Sequence, residues 1–268
     1  MLLTIATLCM LLFISCEKEI TVNFPAGEPV VVIEGYIENG LPPYVLLTHT
    51  VPFLGTISAS EYTKYFISGA DVTVSDGINT AKLIQYQGPQ GITIYSLDSS
   101  NIFEASKLFG KIGSTYTLTV KTDGRTFTST TTIAPIVPLD SIWVIPKKSD
   151  TNLVKLMCKL NDPANEVNYY RALTRRNSDP LFDTGFRSVY SDLIVNGKKF
   201  DFSLDRGKSG FENNDTADFE KYGFFEKGDT IYVKWCSIDK AQHDFWSTFD
   251  AQGGSLSNPF SAPLKIKT

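Results

Sequence analysis

Histidine and cysteine are both scarce in this chain: two His, at His49 and His243, and four Cys in 268 residues. Two imidazoles give His-rich metal sites and most His-based catalysis too little material. Positive charge is not in surplus either, because 25 basic residues face 29 acidic ones for a net charge of −4. Nucleic-acid binding wants a basic stripe, so composition points to no nucleic-acid partner. Neither His-Glu-x-x-His nor Cys-x-x-Cys occurs, so zinc has no paired ligands at working spacing. A Gly-x-Ser-x-Gly elbow is missing too, and a serine hydrolase of that type would lack its exposed nucleophile. Gly207-Lys208-Ser209 matches the last three residues of a phosphate-binding P-loop, but Phe202 stands where the leading glycine is required. No cofactor is expected. What the chain does have is apolar material, 42% hydrophobic against 20% charged, which suits a buried core and not disorder.

The first sixteen residues, MLLTIATLCMLLFISC, carry no charged side chain. At ~1.5 Å per residue such a helix spans about 24 Å, short of a ~30 Å hydrocarbon core, so the segment reads as the apolar region of a signal peptide. Phe13-Ile14-Ser15-Cys16 directly precedes the charged Glu17-Lys18-Glu19. This arrangement resembles a lipobox, the cleavage signal of bacterial lipoproteins, and implies cleavage before Cys16 and lipid on its thiol and new amine. Two departures stand out: Phe13 replaces the usual Leu, and no Lys or Arg precedes the apolar run. The acidic residues after Cys16 resemble the export signal of Bacteroidetes surface lipoproteins. With Cys9 in the signal and Cys16 lipidated, Cys158 and Cys236 remain. An oxidising compartment permits a bridge between them, but a Cys on an apolar strand face is usually just a small buried hydrophobe.

Past a polar stretch, strand signals dominate. Val30 to Ile33 is β-branched, and Asn39-Gly40 marks a turn. In Tyr44 to Val51 one face carries Val45, Leu47, His49 and Val51. Asp71 to Ser75 alternates and ends at Asp76-Gly77. The clearest hairpin runs from Ser114 to Ile133, with Tyr116, Leu118 and Val120 on one face and Asp123-Gly124 as its turn. Pro135 to Pro138 cannot feed a central strand and marks a boundary. Beyond it strands are predicted near Ser141–Ile145, Leu153–Leu160, Val167–Arg175 and Thr230–Ile238, separated by a polar stretch from Asp201 to Asp229. One helix is predicted over Asp239–Gln252, capped by Asp239, lined by Ala241, Phe245 and Phe249 with Trp246 beside them, and stopped by Gly253. The expected fold is mainly β: an immunoglobulin-like or transthyretin-like β-sandwich, then a second β-rich unit with one short helix. The expected organisation is a signal peptide over 1–15, a lipidated tether over 16–28, the sandwich over 29–135 and the second domain over 139–268.

Few side chains stand out as site residues. Tyr169 and Arg171 share one strand face with Tyr170 on the other, and aromatics and Arg are the usual anchors of binding surfaces. The competing explanation is packing, with one Tyr in the core and Arg171 paired to a carboxylate. Asn213, Asp215, Asp218 and Glu220 offer oxygens of the kind calcium takes, although the glycine on which an EF-hand loop turns is missing. His49 reads as a core or rim histidine with one hydrogen bond, and His243 as a solvated residue off the apolar side of the helix.

Several phrases in order carry a resemblance across nearly the whole mature chain. After the lipobox come Val31-Val32-Ile33-Glu34-Gly35, Ser68-Gly69-Ala70-Asp71-Val72 with Asp76-Gly77, and Asp162-Pro163 with Asn168-Tyr169-Tyr170-Arg171. Asn196-Gly197-Lys198, Gly228-Asp229 and Asn258-Pro259-Phe260 follow. Together they are similar to a Bacteroidetes lipoprotein family of unknown function (domain of unknown function four-two-four-nine). The resemblance implies a membrane-anchored protein, commonly encoded beside TonB-dependent outer-membrane receptors, with no established catalytic residues. It also implies a closing strand past the Asn-Pro-Phe segment, whereas this chain stops at Lys265-Ile266-Lys267-Thr268, as a shortened member or a fragment would. The expected function is a surface-exposed outer-membrane lipoprotein, lipid-anchored through Cys16, acting as a non-catalytic partner of such a receptor. The alternatives are a glycan- or peptide-acting hydrolase using paired carboxylates, or an adhesive structural surface module.

Overall fold

The structure, a computed structural model, describes residues 28–51, 59–88, 91–164, 166–179, 188–207, 221 and 223–255. Its first eight strands build two four-stranded antiparallel sheets. In one, the order is β1 (Val31–Tyr36), β2 (Tyr44–His49), β6 (Thr93–Ser96) and β5 (Ile84–Gln87). In the other it is β4 (Thr80–Lys82), β3 (Asp71–Ser75), β7 (Thr115–Thr122) and β8 (Arg125–Thr132). The inner faces meet in one cluster that includes Val45, Leu47, Val72, Tyr95, Tyr116 and Val120, each at most 3% exposed. This is a β-sandwich, and burying each such side chain contributes about 1.5–3 kcal/mol. The β7–β8 hairpin turns at Asp123 and Gly124 with φ of 50° and 67°, the positive values a two-residue turn of this hand requires. Its solvent face is a ladder of threonines, Thr115 with Thr132 at 2.8 Å and Thr117 with Thr130 at 3.3 Å. Two short helices, α1 (Ala59–Tyr62) and α2 (Ile102–Ser106), sit in connections.

The later strands build two more sheets. β10 (Leu153–Asn161) pairs with β9 (Leu139–Pro146) along one side and with β13 (Lys199–Leu204) and β14 (Phe225–Glu226) along the other. β11 (Tyr169–Arg176) lies between β12 (Val189–Ser191) and β15 (Ile231–Ile238). Leu156, Cys158, Leu204 and Phe225 pack against Val233 and Trp235 across the gap between these sheets. Helix α3 (Lys240–Ser255) follows β15 directly.

Two expectations need correction. The stretch from Asp201 is not continuously irregular, because Phe202 and Leu204 alternate toward the core in β13 and Phe225 of β14 is 0% exposed. Helix α3 does not stop at Gly253 but continues to Ser255. A helical glycine costs about 1 kcal/mol relative to alanine without forbidding the next turn. Of the two alternatives for Cys158 and Cys236, the structure has free thiols and no bridge. Cys158 points into the core from β10, while Cys236 lies opposite Arg171 in the other sheet. The signal segment with Cys16, the oxygen cluster Asn213, Asp215, Asp218 and Glu220, the Asn258-Pro259-Phe260 phrase and the last residues lie outside the described residues.

Candidate functional site

Strand alternation puts Tyr169, Arg171, Leu173 and Arg175 on one face of β11, and antiparallel pairing sets Ile238, Cys236, Lys234 and Tyr232 directly opposite them. Helix α3 lies over one end of this face. Asp239 caps it, accepting from the backbone N–H of Gln242 at 2.7 Å and from the Thr131 hydroxyl at 2.9 Å. Asp250 ties the helix down farther along, accepting from the N–H and hydroxyl of Ser188 at 2.8 Å each. Between these ties, the Trp246 ring lies 3.4 Å from the centre of the Arg171 guanidinium. Arg175 sits over Tyr232 in the same manner at 4.2 Å.

The sandwich contributes the other wall. Gly110 makes this possible, because a Cβ there would run into the Glu38 carbonyl. Its backbone exchanges bonds with Gly40 and Leu41 at 2.8 and 2.9 Å, which locks the loop carrying Glu38. Glu38 then accepts from Lys234 Nζ at 2.6 Å. Tyr36 and Tyr44 stack with centroids 4.8 Å apart, and the Tyr36 hydroxyl donates to Glu34 at 3.2 Å. Burial, then the Glu34 charge, pushes the Tyr36 phenol up to about 12. Burial lowers the pKa of Arg171, opposed by Tyr36, Asp250 and Cys236. Burial likewise raises the Cys236 thiol. The result is a face of two guanidinium groups, one ammonium and several rings, assembled from β1, β2, β11, β15 and α3.

Tyr169 and Arg171 therefore do share a face, and Tyr170 is the residue in the core, 2% exposed and stacked on Trp235 at 4.8 Å. Among the described residues no carboxylate pairs with Arg171 as the packing explanation required; it rests on Trp246 instead. His243 is not solvated: its ring packs on Tyr169 at 4.9 Å and its side chain is 19% exposed. His49 sits at the rim of the sandwich, its Nε2 2.8 Å from Asp123 Oδ2, a partner delivered by the β7–β8 turn 74 residues away. Sequence reasoning missed Trp246, Lys234, Glu38 and Tyr36 as neighbours of Arg171. The available signal was the period-2 row Tyr232, Lys234, Cys236, which needed the β11–β15 register to acquire meaning.

Three of the quoted motifs, those at Asp162, Asn168 and Asn196, meet in a different place. Asp162, 5% exposed, accepts from the Tyr170 hydroxyl at 2.6 Å and from the Gly197 N–H at 3.0 Å. Asn196 donates to the Glu166 carbonyl at 3.1 Å. Asp192, 1% exposed, accepts from the Asn168 N–H at 2.7 Å, while its Oδ1 has no partner. These carboxylates hold loops in register at one end of the β11 sheet. Among the described residues no three His, Cys, Asp or Glu side chains come together in a way that could hold a metal ion.

Fold and site together define a mainly β protein that carries an aromatic and cationic face under one helix. A family model described as Domain of unknown function (DUF4249) matches residues 17–268, and the chain belongs to that family. No curated protein and no solved structure matches the chain.

Proposed function

We propose that the protein is a Bacteroidetes lipoprotein, anchored in the outer membrane through lipid on Cys16 and exposed at the cell surface. There it serves as a non-catalytic binding partner of a TonB-dependent receptor, holding the receptor or its ligand. The observation that carries the binding role is the Arg171–Trp246 pair, because an arginine on an aromatic platform is a typical recognition anchor. The roles of Asp162 and Asp192 support the non-catalytic part: both buried carboxylates accept bonds that hold loops, which leaves them poorly placed to move protons. Anchoring by acyl chains suits the described residues, whose helices include none long and apolar enough to cross a membrane. Two or three acyl chains on one cysteine give stable attachment where a single chain does not.

The test is co-purification of a receptor with the tagged protein from detergent extracts, alongside fractionation of Cys16→Ala after labelling with a fatty acid. The expected result is a receptor complex from wild-type cells and loss of both label and membrane attachment in Cys16→Ala. Label retained by that variant would refute lipidation, and absence of any complex across detergents would refute the partnership.

A further inference from the structure

We infer that Arg171 is the anchor of an oxyanion-binding site that takes a carboxylate or phosphate group. Among the described residues its guanidinium makes no hydrogen bond and no ion pair, and Nε is buried without a partner. The terminal amino groups are not among the buried orphans, so they are the part a ligand can reach. Burial has stripped part of the water from this cation. A partly desolvated charge is costly unless something of opposite sign meets it.

No carboxylate among the described residues bonds to it, although the Asp250 charge acts on it. Glu34 accepts from Tyr36, Glu38 from Lys234, and Asp250 from Ser188. Trp246 covers the guanidinium with its ring centroid 3.4 Å from Cζ, and a planar guanidinium fork matches a two-oxygen acceptor. Lys234, two pairs along the β11–β15 ladder from the Arg171–Cys236 pair, lies on the same face with its ammonium held by Glu38. The inference deepens the binding role proposed above by naming the chemistry of the ligand.

It is tested without a receptor, so its failure and that of the partnership are separable. The full chain in detergent is labelled with 15N-arginine and titrated with D-glucuronate in one arm and inorganic phosphate in the other. The expected result is a saturable shift of the Arg171 guanidinium resonances with a Kd of about 1 mM or tighter. Raised salt should weaken it. Arg171→Gln should lower affinity at least about tenfold, and Arg171→Lys should restore only part, since lysine keeps the charge but loses the planar fork. A response to glucuronate alone identifies a carboxylate ligand, and one to phosphate alone a phosphate ligand. Wild-type resonances unmoved by both anions would overturn the inference, as would equal affinity in folded Arg171→Gln. Should Arg171→Gln fail to fold, the wild-type resonances and Arg171→Lys decide.

Discussion

Replacing Tyr170 with Phe removes one oxygen from a buried, hydrogen-bonded corner and leaves the ring in place. The ring keeps its stack on Trp235 at 4.8 Å, so packing is nearly conserved. What disappears is the 2.6 Å bond to Asp162, whose Oδ1 is left facing an apolar edge in a residue 5% exposed. A hydrogen bond to a charged acceptor contributes about 1.5–3 kcal/mol net, and a stranded buried acceptor costs a similar amount. The expected loss is about 2 kcal/mol, or a Tm lower by roughly 4–8 °C for a chain of this size. Asp162→Asn should cost more, because an amide cannot accept from both Tyr170 and the Gly197 N–H, which approaches the other oxygen at 3.0 Å. Denaturant melts of both single variants and the double variant give the coupling energy, expected at about 1–3 kcal/mol for contacting residues. If Tyr170→Phe melts within ~0.5 kcal/mol of wild type, a range typical of surface changes, the corner is not holding the fold.

Alkaline titration should show Tyr36 and Tyr170 ionising late, since burial raises both phenols, Tyr36 to about 12. A raised phenol contributes stability that is present below the ordinary value near 10 and lost as pH climbs through the folded value. Absorbance at 295 nm should therefore reveal late phenols that vanish in denaturant, and a titration completed near pH 10 would refute this. Burial pushes the Cys158 thiol up to about 11, so at pH 8 an alkylating reagent should modify it only after unfolding, as mapped by mass spectrometry. Modification of native Cys158 at the rate of a free thiol would contradict its placement. The Asp123 carboxyl is held below its usual range chiefly by its bond to His49. This contribution is present above the ordinary Asp value and is lost as pH falls through the folded one. His49→Ala should move the Asp123 titration back up, read by carboxyl 13C shifts, and an unmoved titration would refute the pairing.

The alternation of Tyr116, Leu118 and Val120 and the Asp123-Gly124 turn were enough to read β7–β8 from the chain, because hairpin contacts are local. The same holds for α3, whose start is set by Asp239, the carboxylate that accepts from the N–H of Gln242 three residues on. The β13 strand was harder to see. Its apolar positions, Phe202 and Leu204, alternate inside a run of Asp, Lys and Ser, and polarity averaged over that run hides the period. The site was less legible again. Tyr169 and Arg171 could be placed on a common face, but whether that face meets water, a carboxylate or a ring depends on α3 folding back over it. The Glu38–Lys234 bond joins residues 196 positions apart, beyond anything a local pattern encodes.

Motif phrases and binding chemistry also occupy different surfaces of one strand. In Asn168-Tyr169-Tyr170-Arg171, Asn168 and Tyr170 turn toward Asp192 and Asp162 and serve the corner, whereas Tyr169 and Arg171 turn toward α3. A phrase that looks like one signal in the sequence is thus two interleaved ones, separated by the pleat. The inward half fixes the height and register of β11, and through it the position from which Arg171 meets Trp246. Rigid placement matters for binding because an anchor held in position loses little freedom when a ligand arrives. At the site proposed above, the buried carboxylates of the corner would therefore bear on recognition without touching a ligand. A variant that loosens the corner should weaken anion binding at Arg171 even where every residue of the cationic face is intact.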